Sequence, residues 1–310
     1  EQKQKVLAAM SVARQNFAGS DAKFAMSLGI NAGQYSRIRN GELERVLSEE
    51  KWISIARHLG VNLSDRPEWR TANTPVFQFI TAQLEMCQRN SMSALLCDRA
   101  DIGKTYAAQH YARNHQNAVY IDCSQVKTKT ALIRRIAKSF GVGSTGTYSN
   151  VYEDLVYYLK VLPMPLIILD EAGDLQYDAF LEIKALWNAT EMCCGWYMMG
   201  ADGLAAKINR NVEGKKVGYA EIFSRYGGKY SRVTPEQEDD RRSFLLEQAR
   251  VVASVNAPEG TDIGQIVRKS QGGLRRVYTE IEKMKKEAAA MPQHTGPSVR
   301  GNRTAQWQEV

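Results

Sequence analysis

Short apolar runs bounded by polar residues recur between stretches of helical rhythm along most of this chain. The sharpest is Leu166-Ile167-Ile168-Leu169, four aliphatic residues that end abruptly in Asp170-Glu171. A run of that length is too short for a membrane span and too apolar for a surface segment, so it predicts a strand buried in a parallel sheet. Met92–Cys97, Ala118–Asp122 and Trp196–Met199 are runs of the same kind, with helical patterns between them. Strands alternating with helices over residues 76–286 predict an α/β core, a parallel sheet flanked by helices.

The first 63 residues carry helical rhythm and no strand-like alternation. Lys23–Ile30 reads as a short helix closed at Gly29, and Asn31 caps a second helix over Ala32–Arg39 that stops at Asn40-Gly41. A third spans Glu49–Leu59, with Trp52, Ile53, Ile55, Ala56 and Leu59 as its apolar stripe. Residues 64–75 turn polar and read as a linker. Residues 288–310 hold Pro292, Gly296, Pro297 and Gly301 with few apolar residues, a composition that predicts disorder. The expected division is 1–63, a linker over 64–75, a core over 76–233, a helical lid over 234–287 and the tail.

Composition narrows the class without naming a function. A length of 310 residues suits one ordinary α/β domain and one small one. The chain is 44% apolar and 24% charged, ordinary for a globular protein, and no stretch is long and apolar enough for a transmembrane helix. No signal-peptide core follows Glu1–Lys5. Five cysteines, odd in number and without metal-type spacing, predict reduced thiols and a cytoplasmic location. Cys193-Cys194 read as small apolar residues at the start of a strand. The net charge of +7 permits nucleic acid as a partner but does not require it.

The chemistry concentrates after the first and third predicted strands. Ala94–Cys97 is followed by Asp98-Arg99-Ala100-Asp101-Ile102-Gly103-Lys104-Thr105-Tyr106, and the pair of stretches resembles the A and B motifs of a P-loop nucleotide-binding domain. A phosphate cradle needs inward backbone N–H groups, a lysine on the outer phosphates and a hydroxyl on magnesium. Residues 98–106 would form the cradle and its helix start, Lys104 would neutralise the β- and γ-phosphates, and Thr105 with Asp170 would hold Mg²⁺. Glu171 would orient the attacking water. Two positions depart from the pattern. Asp98 stands where the motif opens with glycine, and Asp101 replaces a second glycine. Asp tolerates left-handed backbone angles, but a carboxylate beside a triphosphate disfavours binding by about 1 kcal/mol.

Asp21–Val61 resembles the phage-repressor type of helix-turn-helix, through Ala25, Gly29, Ile30, Ser36, Ile38, Gly41 and the Ala56…Leu59-Gly60-Val61 ending. That resemblance implies that Gln34, Tyr35 and Arg37 meet base edges, with Asn31 and Arg39 nearer phosphates. Downstream, Glu221-Ile222-Phe223-Ser224-Arg225 resembles the AAA+ segment that ends in an arginine acting on a neighbouring subunit's nucleotide. Gly272-Gly273-Leu274-Arg275 resembles the lid motif whose arginine senses nucleotide. Ala201 occupies the usual polar sensor position, so that role is either lost or shifts to Asp202.

The order of helix-turn-helix, linker, compact core and short lid resembles the MuB/TnsC-type AAA+ transposition ATPases. Further matching phrases are Thr74-Pro75 with the helix Val76–Gln88, Ile168-Leu169-Asp170-Glu171-Ala172 and Met199-Gly200. The resemblance implies ATP with Mg²⁺, self-association into helical filaments on duplex DNA and activation of a cognate transposase, with no membrane. Lys127, Thr128 and Lys129, after the second strand, are the expected DNA-binding loop. Two rival expectations are a helicase-loader-like ATPase and a non-catalytic DNA-binding regulator, the latter favoured by Asp98 and Asp101.

Overall fold

A computed structural model of the chain describes residues 2–17, 19–61, 63 and 69–290. The predicted tail from residue 291 and residues 64–68 of the predicted linker lie outside them. Four helices come first: α1 (Gln2–Gln15), α2 (Asp21–Ser27), α3 (Ala32–Arg39) and α4 (Glu49–Leu59). The alternating region is α5 (Pro75–Asn90), β1 (Ser93–Cys97), α6 (Lys104–Asn114), β2 (Ala118–Asp122), α7 (Lys129–Ser139), α8 (Tyr148–Val161), β3 (Leu166–Asp170), α9 (Tyr177–Ala189), β4 (Gly195–Gly200), α10 (Asp202–Glu213) and α11 (Tyr219–Arg225). The described chain ends in α12 (Glu238–Asn256), α13 (Ile263–Ser270) and α14 (Leu274–Ala290).

All four apolar runs are strands of one parallel sheet, in the order β1-β4-β3-β2. Side chains alternate across it with period two. Ala94, Leu96, Ile168, Tyr197 and Met199 face α5 and α6, while Leu95, Ile167, Leu169, Trp196 and Met198 face the helices after β2. The alternation carries Asp170 onto the α6 side, which is why it meets the start of that helix. Backbone crowding fixes one glycine. A Cβ on Gly195 would collide with the Cys87 carbonyl oxygen at the end of α5. Ser231 adds a single parallel bridge to the free edge of β1, and this bridge positions the residues that grip the phosphate loop.

The N-terminal helices pack around their own cluster of Val6, Met10, Phe24, Ile38, Trp52 and Ile55. Asn31 caps α3, as its sequence predicts, and the cap is a full capping box with Gln34. Ile53, placed on the apolar stripe of α4 by spacing, is instead 57% exposed, because the stripe needs only Trp52, Ile55 and Ala56 to face α1. A separate cluster holds α12, α13 and α14 together through Val252, Ile266, Val267, Val277 and Ile281. The later part of the predicted linker belongs to this cluster. Ala72 is buried in it and Trp69 packs against it, and Asn256 ties both backbone groups of Arg70 at 2.7 and 3.1 Å. Its polar composition hid that docking. Among the described residues no helix is long and apolar enough to cross a membrane, and all five cysteines are free.

Candidate nucleotide-binding site

Gly103, in the left-handed region at φ 96°, turns the chain after β1 into the first residue of α6, so Lys104 and Thr105 begin that helix. Thr105 Oγ1 donates to Asp170 Oδ2 at 2.7 Å, and the Tyr120 hydroxyl donates to the same oxygen at 2.8 Å. The other oxygen, Oδ1, accepts the Glu171 backbone N–H at 2.8 Å. Asp170 is therefore held on all sides, 1% exposed, at the carboxyl end of β3. Tyr120 was missed by sequence reading, although its place on β2, on the same face as Asp170, was available from strand alternation.

Lys104 is buried, and its ammonium donates to the carbonyls of Asp98 (2.8 Å) and Arg99 (2.5 Å). Burial lowers its pKa, while Asp98 and Asp170 act in the opposite sense. The loop carbonyls thus hold the lysine over the cradle, in place for an anion to exchange with them. Ile102 is a core residue 2% exposed, which anchors the loop from beneath. Tyr106 turns toward the residues before α5, its hydroxyl 2.6 Å from Thr71 Oγ1.

Both non-glycine positions of the loop are structural ties. Asp98 is fully buried, and its carboxylate accepts from Val233 N (2.7 Å), Thr234 N (2.9 Å) and the Thr234 hydroxyl. This corrects the expectation that its charge faces the phosphates, for the side chain is spent on the segment joining the sheet to α12. Asp101 adopts φ 64°, as its tolerance of left-handed angles predicts, and its carboxylate accepts the Arg275 backbone N–H at 3.1 Å at the start of α14. The Arg275 side chain is 86% exposed, with Nε 3.8 Å from Asp101.

Glu171 follows Asp170 in a left-handed conformation, φ 49°, and is exposed. Its pKa is raised, first by desolvation and then by Asp170. Asp202, the expected sensor, opens α10 and is paired with Arg232, whose Nε also lies 3.8 Å from Asp98. Arg232 and Thr234 were invisible to sequence reading, since nothing local marks them. Arg225 bonds Asn188 at 2.7 Å and lies over Trp187. Trp187 in turn donates to Ser93 Oγ, at the opening of β1. Arg225 thus sits at the end of the strands opposite the phosphate loop, roughly 13 Å away along β1 alone.

A divalent ion fits beside Thr105 and Asp170. The described residues hold no cluster of three or more His, Cys, Asp or Glu suited to a metal, so an ion here would take its other ligands from phosphate oxygens and water, the usual habit of Mg²⁺.

The expected DNA-contacting residues fare unevenly. Arg37 is exposed and pairs with Glu42 at 2.8 Å, and Gln34 is used in the cap of α3. Tyr35 is overturned as a base reader. It is 4% exposed and packs edge-on against Phe24, with ring centroids 5.3 Å apart. Its spacing of three from Ile38 was the available signal. Tyr35→Ala is accordingly expected to destabilise the N-terminal helices by about 3 kcal/mol, read as early loss of their structure on heating, whereas Arg37→Ala leaves that melting unchanged. In the loop before α7, Lys127 pairs with Asp174 at 3.1 Å, Thr128 caps α7, and Lys129 lies over Tyr148.

Residues 87–208 match the AAA domain family. The chain is 22% identical over 261 residues to the Mu-like prophage FluMu DNA transposition protein B of Haemophilus influenzae, covering 83% of this chain and 88% of that protein. It is 24% identical over 215 residues to the ATP-dependent target DNA activator B of Escherichia phage Mu, covering 66% of this chain and 65% of the activator, just under two thirds of its length. Among solved structures, NtrX from Brucella abortus in complex with ATP aligns at a TM-score of 0.45 and 14% identity, over 86% of this chain and 62% of NtrX. With a P-loop lysine and threonine, a buried aspartate at the end of β3 and a match to the AAA domain spanning all of them, the chain carries an AAA-type ATPase core and is similar to the transposition proteins B of Mu and a Mu-like prophage.

Proposed function

We propose that this chain is an ATP-dependent, largely sequence-independent DNA-binding ATPase that assembles into helical filaments on duplex DNA, captures target DNA and activates a partner transposase. In this reading residues 1–63 form a helix-turn-helix DNA-binding domain, 76–233 the ATPase core and 234–287 its lid, and the protein works on DNA in the cytoplasm. The relatives' names supply the setting, since one is a DNA transposition protein and another an ATP-dependent target DNA activator. The observation that carries the self-association is the position of Arg225. The cis residues Lys104, Thr105, Asp170 and Glu171 gather at one end of the sheet, and Arg225 lies at the other. An arginine so placed serves a nucleotide on a neighbouring copy, as a head-to-tail interface allows.

Within the site, phosphate oxygens replace the Asp98 and Arg99 carbonyls as partners of the Lys104 ammonium. Thr105 and Asp170 would hold Mg²⁺, which would supply positive charge beside the outer phosphates. Glu171, reachable by solvent, orients the attacking water and takes up its proton. Arg275 closes over the nucleotide from the lid side. Asp98 no longer argues for a non-catalytic regulator, because its carboxylate is turned away from the cradle.

Electron microscopy of the protein with duplex of arbitrary sequence, with and without ATP, tests this reading. Helical filaments that need ATP support it; binding that requires a particular operator and ignores nucleotide refutes it. Lys104→Ala is expected to weaken ATP binding by at least about 100-fold, since truncating one partner of a buried charge pair costs about 3 kcal/mol. Filaments should vanish in the same variant, and their persistence would detach assembly from the nucleotide.

A further inference from the structure

Cations from the N-terminal helices and from the core converge on one cleft with little acid to pair them. The cleft has a volume of about 620 Å³ and lies between α2 and α4 on one side and α6, β2 and α7 on the other. The two sides are firmly seated. Gln116 donates to the Gln15 carbonyl at 2.8 Å and Asn16 to that of Arg113 at 3.0 Å. A Cβ on Gly141 would stand 2.6 Å from the Lys23 carbonyl oxygen.

Arg57, Arg113, Arg135 and Lys138 line this cleft, all exposed. Among the described residues none of the four shares an ion pair with a carboxylate, in contrast to Arg14, Arg37 and Arg39 in the same neighbourhood of the chain. The acid that lines the cleft, Asp122, is already engaged by Ser124 and Gln125. Two ammonium groups from different elements approach one point. Lys51 Nζ of α4 lies 2.9 Å, and Lys138 Nζ of α7 lies 3.9 Å, from where a Cβ on Gly29 would be. Like charges brought together by packing repel one another unless an anion joins them.

We propose that this cleft binds the phosphodiester backbone of duplex DNA, with Lys51 and Arg57 of α4 and Arg113, Arg135 and Lys138 of the core on its phosphates. The proposal rests on the reading of the chain as a DNA binder and adds a site spanning both parts of it. The cations come from three helices of the two sides, which suits an extended polyanion better than a single nucleotide. His115, which lines the cleft, is laid flat on Tyr111 with ring centroids 3.7 Å apart, and Tyr158 lies beneath the Lys23 ammonium. His58 reports the same field. It reaches solvent through the mouth, yet enclosure by the walls, then Lys138 and Arg135, hold its pKa down to about 4.

The test is binding of a labelled duplex of arbitrary sequence to the full chain with ATP, measured by anisotropy over a range of KCl. The paired variants Arg135→Ala/Lys138→Ala and Lys51→Ala/Arg57→Ala remove cations from opposite walls. Each is expected to flatten the slope of log affinity against log salt by about 1.8, at about 0.9 for each phosphate no longer neutralised, and to weaken low-salt binding more than about 10-fold. Thermal melting should stay the same or rise, since repulsion is relieved, which separates a loss of DNA-binding charge from a loss of folding. A wild-type slope in both pairs overturns the cleft site and leaves DNA binding elsewhere on the chain intact. Failure of the wild type to bind duplex overturns the DNA reading and this proposal together. Displacement of the duplex by poly-glutamate at equal charge concentration assigns the cleft to acidic polypeptides and also overturns it.

Discussion

Arg225→Ala is expected to lower ATP turnover by about 10³-fold in kcat while changing ATP affinity little. The asymmetry follows from geometry. The groups proposed to hold nucleotide lie after β1, on α6 and at the end of β3, and Arg225 touches none of them, being held by Asn188 and Trp187 at the far end of the sheet. Loss of an arginine that meets the phosphates only in the transition state appears in kcat and not in binding. Glu171→Gln is expected to lower kcat by about 10² or more from the opposite side of the same interface. Mixing the two dead variants then distinguishes trans action from a local defect. An Arg225→Ala copy retains its own Glu171 and borrows the arginine of a Glu171→Gln neighbour. In a random head-to-tail mixture about a quarter of the interfaces are complete. Turnover in the mixture should therefore recover to roughly that fraction of the wild type. Co-assembly with no recovery would remove Arg225 from its assigned role.

The sheet was legible because its strands are buried on both faces and must be continuous apolar runs. Ala118–Asp122 falls at its predicted bounds, and the other three differ by one residue or two. The helices with strong local caps were equally legible. Asn31 with Gln34 defines the start of α3, and Thr74 with Pro75 that of α5. Relations across long sequence separations could not be read. Asp98 finds its partners 135 and 136 residues later, at Val233 and Thr234, and a motif comparison could register it only as a missing glycine. Tyr35 is a different case. Its helical spacing from Ile38 pointed to the core, and the resemblance to a DNA-reading helix pointed to solvent. Packing against Phe24 settles it for the core, so local periodicity was the better guide there.

The larger consequence of Asp98 is that restoring glycine at this position should harm the protein. Asp98→Gly returns the loop to its common pattern and removes a carboxylate from the neighbourhood of the phosphates, two changes that on sequence grounds alone favour ATP. In the structure the same change leaves the Val233 and Thr234 backbone donors and the Thr234 hydroxyl without an acceptor in a fully buried position. Each orphaned donor costs about 1–3 kcal/mol, so the variant is expected to lose about 3 kcal/mol or more of stability even if water recovers part of the bonding. The loss falls where the chain passes from the sheet to α12, so the lid should loosen with it. Asp98→Asn keeps acceptor capacity on one oxygen and should fall between. Asp101→Gly provides the contrast. Its carboxylate is partly exposed and tied mainly to one backbone N–H of α14, so removing it is expected to cost about 1 kcal/mol and to tighten ATP binding by lifting a negative charge from the cradle. Denaturant unfolding and ATP titration of the three variants decide the matter. If Asp98→Gly is as stable as the wild type and binds ATP more tightly, the carboxylate is a relic of the loop. If it unfolds early while Asp101→Gly does not, Asp98 is the post on which the phosphate loop and the approach to the lid are hung.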